Sequence, residues 1–171
     1  MRLYSILFEG SGHQRYWYHT TSRENLESIK ANGLRVNSVG GKSRASLGWM
    51  REAYGGVVPV FLSKEPGKYK NGVVLKVDVD GLDLVADIPG LVDFGGRLTD
   101  HSIYFDEEET PEEFWDLSDP ETGESINGEL EFELLREPNN EITDAAIEVV
   151  GTCAVMEDIS IDRIEVLDEV K

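Results

Sequence analysis

The chain is short of the residues that staple small folds or bind metals. Its one cysteine, Cys153, cannot form an internal disulfide, and three scattered histidines (His13, His19, His101) have no zinc-ligand spacing. A structural metal is therefore not expected. No apolar run reaches the roughly 20 residues that a membrane helix needs. The opening MRLYSILFEGSGH also lacks the apolar core and cleavage site of a secretory signal. Without signal or disulfide, the expected compartment is the cytoplasm, with no membrane partner. Basic residues are scarce as well, 16 Lys and Arg against 34 Asp and Glu, for a net charge of −18. What remains is a globular composition, 40% hydrophobic and 9% aromatic over 171 residues, enough for one packed core. With neither an internal repeat nor a long linker, residues 1–171 read as a single domain.

The charge is unevenly spread. Residues 1–70 carry eleven Lys and Arg against five acids, whereas residues 106–148 carry seventeen acids and one base, Arg136. A basic half of this kind suits an anionic ligand such as a dinucleotide. The acidic half argues against a nonspecific nucleic-acid binder, whose surface must be predominantly basic. Taken alone it reads as a solvated face, as adaptation to high salt, or as a surface for a basic protein partner. The acids of DEEE lack the alternating ligand spacing of a calcium loop.

Short strand-like runs dominate. LYSILFEG reads as an edge strand, Tyr16 to Thr20 as a strand, and residues 22–32 as a helix. Leu47, Met50 and Tyr54 suggest a second helix in ASLGWMREAY. VVPVFLS is a strand with Pro59 at an edge or bulge, and KEPGKYK is a polar turn. GVVLKVDVDGLDLV has the cleanest alternation, with Val73, Leu75, Val77 and Val79 on one face. Residues 106–124 are acidic and turn-rich, a candidate surface insertion or lid with Phe114, Trp115 and Leu117 as its anchor. ELEFELL, AIEVVGTCAVM and ISIDRIEVL read as further strands. The fold class is therefore α+β, with a mostly antiparallel sheet and one or two N-terminal helices. Cys153, within an apolar run, reads as a buried small hydrophobe rather than a nucleophile.

The stretch WYHTTSRENLESIKANGLRV, residues 17–36, is the most informative. Thr21 and Glu24 have the T-x-x-E spacing of a capping box, Leu26 and Ile29 follow at helical spacing, and Gly33 is placed to stop the helix. His19 then lies where a strand ends and a helix begins, where a side chain can face a ligand instead of the core.

These residues resemble the first motif of the ADP-ribosyltransferases of the diphtheria-toxin and poly(ADP-ribose) polymerase class. That motif is a histidine, a glycine and a small hydroxyl residue, then a helix ending in a G-L-R-like sequence. Here it is Tyr18-His19-Thr20-Thr21 followed by Gly33-Leu34-Arg35, with threonine at the glycine position. Gly56-Val57-Val58-Pro59-Val60-Phe61-Leu62-Ser63, followed by Tyr69, is similar to the family's second motif. The third is a glutamate opening a strand that leads to an I-P/S-x-x-x-I run. Glu148-Val149-Val150 ahead of Ile159-Ser160-Ile161-Asp162-Arg163-Ile164 is similar to it. Glu141 and Glu157 are the other glutamates in reach, and Glu148 is preferred because it begins the apolar run. The resemblance implies split, mostly antiparallel sheets around an NAD-binding cleft and a His19–Tyr69–Glu148 triad. Residues 80–145 match no part of the family's pattern.

The resemblance also implies the chemistry. NAD is the substrate, and its nicotinamide–ribose bond breaks through an oxocarbenium-like state that a carboxylate near the ribose, Glu148, stabilises. Tyr69 stacks on the nicotinamide and His19 hydrogen-bonds a ribose hydroxyl. The main chain of Thr20, with Thr21 beside it, holds the carboxamide as the family's glycine does. Phe61 and Ser63 line the site, while Arg35, Lys42 and Arg44 are candidates for the pyrophosphate. ADP-ribose then passes to an acceptor that the sequence does not identify, protein, nucleic acid or small molecule. Two rivals stand beside this reading. RNA 2′-phosphotransferases share the scaffold and use histidine and arginines without the glutamate. A non-enzymatic acidic protein would instead mimic nucleic acid or cap a basic partner through residues 106–148.

Overall fold

The computed structural model of the protein describes residues 13–38, 44–67 and 72–167, with side chains except at 44–47. It is α+β, with mostly antiparallel strands in two sheets and five helices. Strand β1, Tyr16–Ser22, leads into α1, Arg23–Asn32, and α2 spans Arg44–Ala53. Strands β2, Val60–Ser63, β3, Gly72–Asp78, and β4, Val85–Ala86, follow, then the short helix α3, Ile88–Asp93. Three small strands, β5 Arg97–Leu98, β6 Ser102–Tyr104 and β7 Glu129–Glu131, precede helices α4, Phe132–Leu135, and α5, Glu141–Val150. Strands β8, Thr152–Val155, and β9, Ile164–Val166, close the described chain.

The main sheet has the order β4-β8-β2-β1-β3-β9 and the smaller one β5-β6-β7, every registered pair antiparallel. Period-2 side-chain alternation sorts the main sheet into two faces. On one, Trp17, Leu62, Val73, Leu75, Val77 and Cys153 are buried beneath Ile29 of α1 and Leu34. On the other, Phe61, Val85 and Ala154 pack against Met50 of α2 and Tyr54 in the turn after it, Leu91 of α3, and Ile103 and Leu130 of the small sheet. Helix α5 serves both cores, Ile147 on the first and Ile142 and Ala146 on the second.

Several sequence expectations are corrected. The Thr21–Glu24 capping box does not form. Thr21 and Ser22 stay paired with Val73 and Gly72, so the strand runs to Ser22, the N-cap, which makes no side-chain capping bond. ELEFELL alternates only to Glu131. Phe132, Leu134 and Leu135 are then buried together on a helical turn, which a period-2 strand cannot do. AIEVV is not a strand but the end of α5. Asn140 Oδ1 accepts from Thr143 N–H at 2.7 Å, the buried positions Ile142, Thr143, Ala146 and Ile147 follow helical spacing, and Gly151 ends the helix at φ 75°. The LYSILFEG strand lies outside the described residues. In the acidic segment, Phe114 is buried against Phe105 with ring centroids 5.8 Å apart, and Leu117 packs on the same core, whereas Trp115 is 62% exposed. No helix among the described residues is long and apolar enough to cross a membrane.

Candidate functional site

The strands around His19 are paired unevenly. β1 and β3 share seven register pairs and β2 and β8 share four, but β1 and β2 are registered only at Tyr18↔Ser63. Antiparallel geometry would set Leu62, Phe61 and Val60 opposite His19, Thr20 and Thr21. The ladder stops there instead, and the sheet divides between β1 and β2. The His19 ring spans the division, its Nδ1 2.9 Å from the Phe61 carbonyl oxygen. A carbonyl only accepts, so Nδ1 carries the proton and, in the neutral ring, Nε2 is the acceptor.

The main chain of Thr20 also faces this division. Val74, its partner on β3, gives its carbonyl to Leu167 N–H at 2.9 Å on the far side. Opposed residues in an antiparallel ladder either exchange both bonds or neither. Thr20↔Val74 is therefore a pair without mutual bonds, and the Thr20 N–H and C=O turn toward β2. Arg15, five residues earlier and so on the alternate set, correctly turns its carbonyl the other way, to Val79 N–H.

A row of polar side chains crosses the same region. The pairs Thr152↔Ser63, Ser63↔Tyr18, Tyr18↔Lys76 and Lys76↔Glu165 set five residues side by side on one face. Tyr18, Ser63, Lys76 and Thr152 are each half-buried, whereas the opposite face of the same strands is closed by Trp17, Leu62 and Cys153. The more accessible face of the division is thus the one bearing Tyr18, Thr20, Ser63 and Thr152, whereas the half-buried His19, two residues from Trp17 and opposite Leu75, sets its side chain on the other face. At the end of the row the Thr152 hydroxyl donates to Asp87 Oδ2 at 2.6 Å, and Asp87 Oδ1 accepts from Gly90 N–H at 2.8 Å to cap α3. Asp87 is one of the few buried polar residues. Its charge adds to burial, the larger cause, in raising the Tyr54 hydroxyl and the Cys153 thiol above their ordinary ranges.

The segment after α1 meets the segment after β8. Leu34 N–H donates to the Ile159 carbonyl at 3.0 Å and Ile159 N–H to the Leu34 carbonyl at 2.8 Å. Val36 N–H adds a bond to Asp158 Oδ1 at 2.9 Å. Gly33 makes this junction possible. Its φ is 74°, and a β-carbon there would sit 2.2 Å from the Ile159 oxygen.

The predicted site residues therefore fall into three groups. His19, Thr20, Phe61 and Ser63 all border the division, His19 touching the Phe61 carbonyl from the face opposite the Thr20, Phe61 and Ser63 side chains, and Thr21 continues β1 beside them. Glu148 stands on the exposed face of α5, Glu141 in that helix's first turn, Glu157 in the bend after β8, and Arg35 is exposed after α1. Tyr69 and Lys42 lie outside the described residues, as does the side chain of Arg44. The strand that leads into the ISIDRI run is β8, and it is opened by Thr152, not by a glutamate. Thr152 and Asp87 are what sequence reasoning missed. For Asp87 the signal was present, since Asp-Ile-Pro at residues 87–89 has the spacing of an N-cap before an early helical proline.

Two cavities lie beyond the His19 region. One of about 180 Å³ is lined by Tyr16, Lys76, Asp78 and Arg163 among others, and one of about 280 Å³ by His13, Arg15, Leu82 and Asn139 among others. At the first, Lys76 Nζ sits 4.4 Å from the Tyr16 ring centre, and Arg15 grips Asp78 through two bonds that hold its carboxyl below the usual range. No group of three or more potential metal ligands occurs among the described residues. No protein-family model matches the chain, and no curated protein or solved structure matches it.

Proposed function

We propose that the protein binds NAD across the division between β1 and β2, cleaves its nicotinamide–ribose bond and transfers ADP-ribose to an acceptor. The observation that carries this reading is that the Thr20 main chain turns toward β2 beside the His19 ring, which bridges the division from the Trp17 and Leu75 face. The Thr20 N–H and C=O match the acceptor and donor of a carboxamide. His19 Nε2 suits a ribose hydroxyl, as the family's histidine does. The junction of Leu34 with Ile159 also joins the two motifs that the family uses around one cleft.

In the reaction the bond from the ribose C1′ to the nicotinamide nitrogen breaks and its electron pair stays on nicotinamide, which leaves neutral. The ribose carbon acquires oxocarbenium character, a lone pair of the acceptor forms the new bond, and the acceptor's proton passes to a base or solvent. Tyr69, stacked on nicotinamide, and Arg44, on the pyrophosphate, remain part of this proposal through the resemblance alone. A second reading is favoured by Thr152 at the opening of β8. An RNA 2′-phosphotransferase-like enzyme needs no glutamate there and would release nicotinamide only in the presence of a 2′-phosphorylated RNA.

The test is nicotinamide release and calorimetric NAD binding by the wild type beside His19→Ala and Glu148→Gln. Binding that His19→Ala abolishes supports the site. Release that survives Glu148→Gln excludes the helical glutamate from the chemistry. A wild type without NAD affinity overturns the reading.

A further inference from the structure

We propose that the cavity of about 280 Å³ between the segment entering β1, the turn after β3 and the turn before α5 binds an alkylammonium ion, the chemistry of a free diamine or of a lysine side chain. The argument begins at His13, which lines it. The ring stands edge-on to Trp17, with centroids 6.4 Å apart, and its side chain is only 10% exposed. Its Nε2 lies 2.9 Å from Asp144 Oδ1. A carboxylate only accepts, so Nε2 carries the proton and the neutral ring keeps a lone pair on Nδ1. Among the described residues Nδ1 has no partner, and none of their buried side-chain nitrogens is left without one. Nδ1 therefore opens into the cavity that the ring lines, as an acceptor waiting for a donor.

The charges at the cavity call for a cation. Arg15 lines it, but its guanidinium is closed on Asp78 through bonds of 3.1 and 2.9 Å, and that pair is neutral overall. Asp80 and Asp83 line it too, both exposed, and neither forms an ion pair among the described residues. With Asp144 behind the His13 ring, negative charge is left uncompensated. The cavity also has an apolar wall, the buried Val79 and the half-buried Leu82, which belong to the first core. An ammonium has three N–H donors for Nδ1 and the two carboxylates, and a short methylene chain suits the valine and leucine. The volume lies just below the roughly 300–1,000 Å³ of sites for drug-sized molecules, which fits a small ligand. A bare metal ion is a poorer match, since the described residues hold no group of three metal-ligating side chains. None of these residues borders the β1–β2 division, so this site and the NAD site stand or fall separately.

The test is calorimetric titration at physiological salt, which screens the general attraction of a chain of net charge −18 for cations. The probes are 1,4-diaminobutane, lysine blocked at both its amino and carboxyl ends, and 1,4-butanediol as the uncharged control. Saturable binding of one equivalent of either amine, and none of the diol, is expected. The tighter of the two amines tells a free diamine from a partner's lysine. The double variant Asp80→Asn, Asp83→Asn should weaken binding roughly tenfold. Glu107→Gln with Glu108→Gln removes the same charge elsewhere and should leave it within about twofold. Asp144→Asn keeps an acceptor for Nε2, and adding His13→Phe to it keeps a ring on Trp17 while removing Nδ1, which should cost a further factor of about five. Equal weakening by the two double carboxylate variants reduces the effect to surface charge and overturns the site. So does binding that never saturates, or zinc displacing the amine through the same aspartates. If the His13 variant melts early by circular dichroism, the exposed aspartates decide alone.

Discussion

Tyr54→Phe removes a single oxygen, and the structure allows its effect to be worked out in advance. The hydroxyl is wholly buried and bridges the Ala86 carbonyl and the Ile88 N–H. Phenylalanine keeps the ring and its edge-on contact with Phe61, at 6.1 Å between centroids, so almost no apolar burial changes. What changes is polar. Two hydrogen bonds disappear, and a carbonyl and an amide are left in a dry core. A buried donor or acceptor stripped of its partner costs about 1–3 kcal/mol, so the pair should cost roughly 2–4 kcal/mol once local relaxation is allowed. Urea unfolding followed by circular dichroism should show the midpoint falling while the slope stays constant. A loss of stability below about 1 kcal/mol would mean that water or a shifted main chain satisfies both groups, and the rigid seating of Asp87 would be refuted.

Gly33→Ala forces a β-carbon onto the Ile159 oxygen at 2.2 Å in a backbone conformation that only glycine adopts readily. It should cost roughly 3 kcal/mol by equilibrium unfolding, from conformational strain and the loss of the Leu34–Ile159 bonds, and a cost below about 1 kcal/mol would show that the junction is soft. Cys153 is fully buried, with its thiol raised chiefly by burial and then by Asp87, and it is the chain's one cysteine. It should therefore resist iodoacetamide at pH 8 in the folded state and react within minutes in denaturant. Mass spectrometry distinguishes the two, and rapid labelling of the folded protein would contradict its packing between β2 and β4.

The parts of the fold that were legible are those in which one periodicity acts alone. β3 alternates cleanly because one face is core, and α1 ends where glycine must stand. The strand expected at AIEVV is a helix for a physical reason. The run Ile147-Glu148-Val149-Val150 is rich in β-branched residues, which favour strands by propensity. But Asn140 caps the chain ahead of it and Gly151 releases it behind, and tertiary burial of one helical stripe outweighs local preference. With the helix in place, the strand begins four residues after Glu148, and threonine becomes its first residue. The Asp87–Thr152 bond joins residues 65 positions apart, and no local pattern announces such a pairing. The small sheet was equally opaque, since strands of two or three residues are too short to display alternation.

The acidic segment provides the sharpest contest between the enzymatic and the binding-protein readings, and the structure determines how that contest must be run. Deleting residues 106–124 would remove Phe114, which is buried against Phe105, and loss of such a ring costs about 3–5 kcal/mol. A truncated chain would lose function through its core, whatever the charges do. Neutralising the exposed carboxylates Glu107, Glu108, Glu109, Glu112 and Glu113 to glutamine leaves Phe114 and Leu117 in place and alters only the surface. If the segment is a solvated face beside an NAD site, this variant should keep the wild-type melting temperature and NAD affinity. If the protein is instead a cap for a basic partner, NAD binding is absent from the start. Binding to a basic model protein such as a histone should then be strong at low salt, weaken with added salt, and fall by tenfold or more in the variant. Titration of wild type and variant against NAD and against histone at two salt concentrations separates the readings, because each requires an affinity that the other does not.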